Sequence, residues 1–546
     1  MTLIDESKFP FAEIRPQQKE VIDKLNALPD NKKFILLECG TGTGKSGLAV
    51  AMAQTIGPAY LLTTTKQLQD QYSRDFDNLS FVQVKGKQNY PCYFTDENTT
   101  CDVGPCIAMP ELVHKCGEKC KYFKVRAAAK RAQIMCSNYA FFFRWSDCGN
   151  WDEKRPLLIF DEAHNLESQL VSFAEIVFNP LNFLDKYYTG DEVTDEIIEL
   201  AAMQPKEDDI YEWILHCYDI IIRPKYDQLS DKIEELARKL ATDKDNKKYL
   251  RQLTTLKDSM YLLDKLHKKI MYLQRTDKEN WLYESTMSET SAAITVKITP
   301  IDAGKIFGFF IAPKAERFLF MSATLLDLKA FANSIGLPED ECAMIKLDST
   351  FPPENAPVMA LNLLDLKYNP KGIEKETKDL MIQSIKQIIE AYPDSKGIIH
   401  TGNQKITQII LNAFRGNRRF LCRMEDISNQ DIMEEHIHSP LPTILVSSSL
   451  MDGADLYDDL SRFQIVVKMP FLSLGDKRVA LKSKLYPEWY TAQTWMRLIQ
   501  ACGRSIRSET DTADTYILDK AFAWQFKQAL NSRILPRQFV RRVKTK

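Results

Sequence analysis

A glycine-rich segment near the N-terminus has the residue types of a phosphate-binding loop. Residues 39–46 read Cys-Gly-Thr-Gly-Thr-Gly-Lys-Ser, between an apolar run and a helical pattern. Backbone N–H groups of such a loop, and of the helix N-terminus after it, hold a β-phosphate. We expect Lys45 to reach the β- and γ-phosphates and Ser46 to bind Mg²⁺. The expected nucleotide-binding residues of this segment are Gly40, Thr41, Gly42, Thr43, Gly44, Lys45 and Ser46.

Two carboxylates, Asp161 and Glu162, follow a second apolar run at 157–160. In a parallel α/β sheet, ligands collect at the carboxyl ends of the strands. We expect Asp161 to hold Mg²⁺ through water and Glu162 to polarise the attacking water. A charged turn after a strand would explain either carboxylate alone. It does not explain the full Asp-Glu-Ala-His sequence at 161–164, a domain-sized gap after the loop.

A glutamine and two arginines lie near the C-terminus, after the amphipathic stretch 490–499. Arg504 and Arg507 are three residues apart, so on a helix both face the same side. A guanidinium from a facing domain can stabilise the charge that develops on a γ-phosphoryl group. The expected catalytic residues are Lys45, Asp161, Glu162, Gln500, Arg504 and Arg507. Gln18 and Asp455 are also expected at the nucleotide, although Gln18 alternatively caps the helix that begins beside it.

Apolar runs alternate with helical patterns around these motifs, which predicts an α/β fold with parallel sheets. The predicted buried strands are 34–38, 59–63, 157–160, 318–321, 397–400, 443–447, 463–468 and 515–518. Apolar residues at three- and four-residue steps between 229 and 273 instead predict an antiparallel helical hairpin. The 546 residues are enough for three or four domains of ~150 residues.

Composition excludes several classes of protein. No apolar run approaches ~18 residues, so no membrane span is expected, and the N-terminus lacks the features of a secretory signal. The net charge of −2 means that any nucleic-acid path must be a local basic groove.

Twelve cysteines are present, and five fall in one short stretch: Cys92, Cys101, Cys106, Cys116 and Cys120. In a large chain without a signal, this grouping favours a metal or iron–sulfur site in a reducing compartment.

Together these motifs resemble the XPD/DinG family of superfamily 2 helicases. Further matching phrases are Lys-Gly-Lys-Gln-Asn-Tyr-Pro-Cys at 85–92, Ser-Asn-Tyr at 137–139, Lys-Met-Pro-Phe at 468–471 and Leu-Asp-Lys at 518–520. The resemblance implies two RecA-like P-loop motor domains with an inserted iron–sulfur domain and an inserted α-helical arch. The implied boundaries are 1–85, 136–171 and 291–350 for the first motor domain, 86–135 for the iron–sulfur domain, 172–290 for the arch and 351–546 for the second motor domain.

The resemblance also implies cofactors and activity. ATP and Mg²⁺ would drive 5′→3′ movement on single-stranded or forked DNA, by a monomer serving DNA repair or replication. A [4Fe–4S] cluster takes four thiolates, so one cysteine is spare. Cys92 and Cys120 match the family's outer ligands, and the spare one is Cys101, Cys106 or Cys116. Zinc is the alternative metal, but no Cys-x2-Cys pair occurs. The expected location is the cytoplasm of a bacterium, an archaeon or a virus-infected host.

Two other functions remain open. An RNA-directed DEAH-box ATPase would share the motor motifs, but the cysteine segment disfavours it. A nucleic-acid-binding accessory protein with a degenerate motor is suggested by Cys39, where Gly or Ala is usual, and by Asp452, where the family usually has Glu.

Overall fold

The computed structural model describes most of the chain. The described residues are 1–40, 42–77, 79–93, 100–102, 119–147, 153–242, 247–287, 294–349, 351–422, 429–448, 456, 458–506 and 510–545. Every helix within these ranges is too short or too polar to cross a lipid bilayer.

The strands and helices alternate through most of the chain. In chain order the strands are β1 (Phe34–Cys39), β2 (Ala59–Thr63), β3 (Phe81–Gln83), β4 (Ile134–Asn138), β5 (Arg155–Asp161), β6 (Ile176–Phe178), β7 (Trp281–Met287), β8 (Ile294–Pro300), β9 (Ala315–Ser322), β10 (Cys342–Leu347), β11 (Val358–Leu364), β12 (Gly397–His400), β13 (Phe420–Cys422), β14 (Ile444–Ser447), β15 (Phe463–Val466), β16 (Asp514–Asp519) and β17 (Val543–Thr545).

The helices of six or more residues are likewise numbered along the chain. They are α1 (Pro16–Asn26), α2 (Lys45–Ile56), α3 (Lys66–Asp75), α4 (Lys121–Arg131), α5 (Tyr139–Asp147), α6 (Leu166–Ala174), α7 (Pro180–Tyr187), α8 (Asp195–Ala202), α9 (Ile210–Cys217), α10 (Arg223–Thr242), α11 (Lys247–Gln274), α12 (Leu328–Ser334), α13 (Lys375–Glu390), α14 (Gln404–Ala413), α15 (Asn429–His438), α16 (Lys477–Leu485), α17 (Pro487–Cys502), α18 (Ala521–Asn531) and α19 (Arg537–Arg542).

The first large sheet is parallel throughout, in the order β10-β1-β9-β5-β2-β4-β3. Its central strands are covered on both faces, so their sequences are continuous apolar runs instead of alternating ones. Helix α2, directly after β1, buries its residues 47–53. Because β1, β9 and β5 are neighbours, their last residues Cys39, Ser322 and Asp161 lie along one edge of the sheet.

The second large sheet is also parallel, in the order β13-β14-β12-β15-β16-β11-β17. Its core includes Ile399, Phe463 and Ile465 from central strands and Ile385 and Ile389 from α13. All eight predicted strands are present in the two sheets. The expected α/β architecture, with a motor domain around each sheet, is therefore confirmed.

A helical hairpin and a small sheet lie between β5 and β9 in the chain. Helices α10 and α11 pack against each other as predicted, and Leu229, Leu263 and Ile270 are buried along their seam. The sequence did not predict the antiparallel sheet β6-β8-β7. Strands β6 and β7 lie in the predicted arch segment 172–290, whereas β8 lies in 291–350, so this sheet crosses a predicted domain boundary.

Gly397 in β12 tests the packing of the second sheet. A Cβ at this position would lie 2.4 to 2.7 Å from three ring atoms of Phe463. That ring is fixed by stacking on Tyr392, with centroids 4.7 Å apart. Gly397→Ala should therefore lower the free energy of unfolding by about 1–3 kcal/mol, measured as a lower midpoint of thermal unfolding. The control is Gly190→Ala, where a Cβ meets nothing within 4 Å; equal midpoints for both variants would contradict the packing.

Candidate functional site

The loop after β1 has the backbone conformation that its glycines allow. Gly42 and Gly44 have φ angles of 79° and 76°, in the left-handed region where an L side chain is strained. A Cβ on Gly44 would also lie 2.2 Å from Gln18 Nε2. Lys45 Nζ donates to the Cys39 carbonyl at 3.0 Å. The ammonium group therefore lies over the loop, where bound phosphates are expected.

Gln18 contacts both helix α1 and the loop. Its Oε1 accepts a hydrogen bond from the Arg15 backbone N–H at 2.9 Å, which caps α1. Its amide nitrogen lies 3.5 Å from the Gly44 carbonyl, and Arg15 Nη1 donates to the Gly42 carbonyl at 2.6 Å. Of the two interpretations left open by the sequence, capping is observed directly. The same side chain also lies against the expected phosphate loop.

Asp161 is buried at the end of β5 beside the start of α2. Tyr72 from α3 donates its hydroxyl to Asp161 Oδ2 at 2.9 Å, and Ser46 lies beside the same tyrosine. Burial and the neighbouring Glu162 raise the pKa of Asp161 to about 6, while Lys45 and the Tyr72 hydroxyl act in the opposite direction. The structure thus brings together Ser46 and Asp161, the two expected Mg²⁺ ligands, through a tyrosine that sequence reasoning missed.

A chain of hydrogen bonds connects Glu162 with the second motor domain. Gln500 Nε2 donates to His164 Nε2 and to Thr324 Oγ1, each at 2.9 Å. His164 Nδ1, on the other side of the ring, lies 2.9 Å from Ser322 Oγ and 3.3 Å from Glu162 Oε2. Ser322 Oγ in turn lies 3.4 Å from Glu162 Oε2. The position of the expected catalytic carboxylate is therefore linked to a helix of the other domain.

The cleft between the motor domains contains a cavity of about 540 Å³. Gly40 and Glu162 line it from the first domain, and Gln500 and Arg504 line it from the second. Helix α17 ends at Cys502, so Arg504 lies in the turn after the helix. The common facing of Arg504 and Arg507 that a helix would give stays a prediction, because Arg507 lies outside the described residues.

Glu38, at the end of β1, is a second residue that sequence reasoning missed. Its carboxylate is buried and pairs with Lys346 Nζ at 2.8 Å. It also accepts the backbone N–H groups of Leu325 and Leu326. Glu38 therefore fixes the segment directly after Thr324, on the opposite side from Gln500. A single carboxylate inside an otherwise apolar strand was the available signal.

The three described cysteines of the grouped stretch are buried, and two of them are in contact. Cys92, Cys101 and Cys120 belong to one apolar cluster, and the Sγ atoms of Cys101 and Cys120 are 3.8 Å apart. Among the described residues, no three His, Cys, Asp or Glu side chains are grouped closely enough to hold a metal ion. As soft thiol donors the three residues suit an iron–sulfur or zinc centre, for which Cys106 or Cys116 would supply a fourth ligand.

Several expected site residues lie outside the described part of the chain. They are Thr41, Cys106, Cys116, Asp455 and Arg507, together with Asp452. Of the remaining loop residues, Thr43 donates its hydroxyl to the Gly40 carbonyl and so closes the loop.

A second cavity, of about 550 Å³, also lies between the motor domains, and Gln500 lines both cavities. Its walls include the cationic residues Lys468, Arg478 and Arg497 and the residues Asn165 and Ser168 that follow the Asp-Glu-Ala-His motif. Basic groups in a cleft suit the phosphates of a nucleic-acid strand. The same walls also carry the carboxylates of Glu167 and Asp476, so the cavity has both charges, and the basic groove expected from the sequence stays a prediction.

Two family models match the chain, one for each large sheet. The first is described as a type III restriction enzyme res subunit and matches residues 11–189. The second is described as a helicase C-terminal domain and matches residues 385–537. Together they include the phosphate loop, the carboxylate pair, Gln500 and Arg504.

Relatives and solved structures match over nearly the full chain. A Methanocaldococcus jannaschii protein named as a probable ATP-dependent helicase is 22% identical, over 94% of this chain and 93% of that protein. The ATP-dependent DNA helicase YoaA of Escherichia coli is 21% identical, over 93% of this chain and 91% of that protein. A solved XPD helicase gives a TM-score of 0.65 at 15% identity, covering 98% of this chain and 100% of that chain. Xpd4 of S. tokodaii gives 0.56 at 14% identity, covering 97% and 99%.

Gln500→Ala should uncouple the two domains without unfolding either. It removes both hydrogen bonds across the cleft and leaves His164 and Thr324 without the amide donor. We expect kcat for ATP hydrolysis to fall about 10-fold or more, because the hydrogen bonds of Gln500 hold together the segments that carry Glu162 and Arg504. Thr491→Ala, on the same helix but bonded only to the Pro487 carbonyl of that helix, is the matched control. Unchanged kcat in Gln500→Ala, or an equal loss in both variants, would contradict the coupling.

Proposed function

We propose that this chain, a member of the XPD/DinG family of superfamily 2 helicases, is an ATP-dependent DNA helicase that moves 5′→3′ on single-stranded DNA and unwinds the duplex. The observation that carries the proposal is the Gln500–His164–Ser322–Glu162 hydrogen-bond chain. A device that joins the expected catalytic carboxylate to a second domain suits an enzyme in which hydrolysis and domain movement are coupled.

The described side chains suggest a division of labour in ATP hydrolysis. Lys45 would neutralise the β- and γ-phosphates, and Ser46 and Asp161 would hold Mg²⁺. Glu162 would orient the attacking water, with its carboxylate held by Ser322. Arg504 lines the same cavity from the facing domain, where it would stabilise the charge of the transition state.

The proposed substrate is single-stranded or forked DNA, and the proposed working unit is a monomer. The cavity that contains Lys468 and Arg497 would supply cationic contacts for a phosphate backbone. Helix α4 supplies exposed Lys121, Lys124, Lys130 and Arg131 next to the grouped cysteines. Phosphate contacts of this kind hold a strand without reading its sequence.

We propose a [4Fe–4S] cluster bound by Cys92, Cys120 and two of the other three cysteines of the stretch. Cys92, Cys101 and Cys120 are all buried, as the thiolate ligands of a cluster inside the protein would be. The contact between Cys101 and Cys120 favours Cys101 as a ligand. When bound, such a cluster supplies folding energy to a segment that has little core of its own.

The decisive experiment compares unwinding of forked, 5′-tailed and 3′-tailed DNA duplexes, with ATP hydrolysis measured beside DNA or RNA. We expect unwinding of the forked and 5′-tailed duplexes and stimulation of hydrolysis by DNA. Lys45→Ala is the control, because it removes a phosphate contact without removing a core side chain. Preference for RNA would favour a DEAH-box ATPase, and binding without hydrolysis would favour an accessory protein.

Arg504→Ala should lower kcat by about 10³-fold with little change in ATP affinity, since its contact with the phosphoryl group strengthens in the transition state. The measurement is single-turnover hydrolysis together with nucleotide binding. The control is Arg462→Ala, which removes a cation from the same domain that pairs with Asp458 and Asp459. A loss of affinity with kcat retained would transfer the catalytic role to Arg507.

Cys92→Ser or Cys120→Ser should remove the brown colour and the iron, about four atoms per chain, of anaerobically purified protein. Unwinding should be lost, whereas part of the DNA-stimulated hydrolysis should survive because the motor domains have separate cores. Cys422→Ser in the second motor domain is the control and should keep both colour and unwinding. Colourless unmutated protein with one tightly bound zinc would contradict the cluster.

A further inference from the structure

The carboxylate of Glu167 is buried where the two motor domains meet. Glu167 lies in the first turn of α6, three residues after His164, and is 5% exposed. All of its side-chain partners here belong to the second domain. Arg478 and Lys482 of α16 both donate to Oε1, and the indole nitrogen of Trp489 donates to Oε2 at 2.7 Å.

The Glu167 carboxylate and its two cationic partners form one buried group of charges. Lys482 is 3% exposed and its ammonium lies 4.2 Å from the centre of the Trp489 ring. Arg478 also donates to the carbonyl of Pro300, at the end of β8. Burial alone would raise the pKa of Glu167, but Lys482 and Arg478 hold it below its ordinary value. The carboxylate is therefore ionised, and removing it would leave two cations in a buried interface.

Helix α17 connects this cluster to the nucleotide site. Trp489 and Gln500 are eleven residues apart, about three helical turns, so they lie on the same face of α17. Gln493 and Met496 lie between them and line a small cavity with Leu325 and other residues of the first domain. The first domain therefore holds α17 at both ends, through Glu167 at its start and through His164 at its finish.

We propose that Glu167 is a positioning residue for ATP hydrolysis, which fixes α17 against the first motor domain so that Gln500 and Arg504 face the nucleotide. The inference rests on the proposed function, which gives Gln500 and Arg504 their roles in hydrolysis. Glu167 is not among the residues that line the cavity with Gly40, Glu162 and Arg504. Glu167 and Arg478 instead line the second cavity, so Glu167 would act on hydrolysis at a distance, through the placement of the helix.

The test compares Glu167→Gln with Glu192→Gln. The first variant keeps the shape of the side chain and an acceptor for Trp489 but removes the charge between the domains. The second breaks a pair with buried Lys225, 2.9 Å apart, whose two members lie in the same inserted segment. We expect Glu167→Gln to lower kcat about 10- to 100-fold with KM for ATP within about twofold. Glu192→Gln should leave both values within about twofold.

A second variant separates positioning from stability. Glu167→Gln combined with Lys482→Met restores the net charge of the cluster, so thermal stability should recover while kcat stays low. Recovery of kcat together with stability, or unchanged kcat in Glu167→Gln, would overturn the proposal and leave an ion pair that only stabilises the fold.

Amide hydrogen exchange of residues 487–502 gives a measurement that does not depend on activity. Loss of protection in Glu167→Gln, but not in Glu192→Gln, supports the inference, and retained protection overturns it. The proposed function fails by a different result, the absence of DNA-stimulated hydrolysis in the unmutated protein.

Discussion

The hydrogen bonds from Gln500 to His164 and Thr324 join two sheets that share no strand. Each sheet has a core of its own. The expected catalytic groups, however, are divided between them. A site of this kind is complete only when the two edges face each other at hydrogen-bonding distance. The bridging amide sets that distance, because a hydrogen bond weakens steeply when its atoms separate or tilt.

Parallel sheets explain why so many charged groups are buried near this bridge. Both faces of such a sheet are covered by apolar side chains, so polar groups are confined to the strand ends. Glu38, near the end of β1, and Asp161, at the end of β5, lie at the same edge of the first sheet. Lys346 and two backbone N–H groups contact the Glu38 carboxylate, and the Tyr72 hydroxyl donates to that of Asp161. Because an unpaired buried charge is strongly destabilising, these contacts hold the loops of the site in one arrangement.

The sequence predicted the parts of the fold that depend on local pattern. Strands such as β1 and β12 are short, mainly apolar runs. This is the pattern of a strand that is buried on both faces of a parallel sheet, and both strands are buried throughout. Three-residue edge strands such as β3 and β13 are half-buried and have no such pattern. The antiparallel sheet was missed because its strands β6 and β8 pair across a long stretch of the chain, with the helices α7 to α11 between them.

The same distinction applies to the candidate site. Lys45, Asp161 and Glu162 lie in motifs whose chemistry can be read from neighbouring residues. Tyr72 and Glu38 lie outside any such motif, and their roles arise only from tertiary contacts with Asp161 and with the segment after Thr324. The set of cysteines that binds the proposed iron–sulfur cluster stays a prediction. The contact between Cys101 and Cys120 favours Cys101 as a member of that set.

The pairing of β1 has a consequence for the order in which the chain is made. Both neighbours of this strand come late: Phe34 is opposite Phe318 in β9 and Cys342 in β10. At a synthesis rate of ~5–20 residues per second, β1 waits roughly a quarter of a minute to a minute for its partners. Throughout that time an apolar strand has two open edges, the form of backbone most prone to pairing with other chains. Until β9 and β10 have been synthesised, the phosphate loop therefore follows a strand that has no partner within its own sheet.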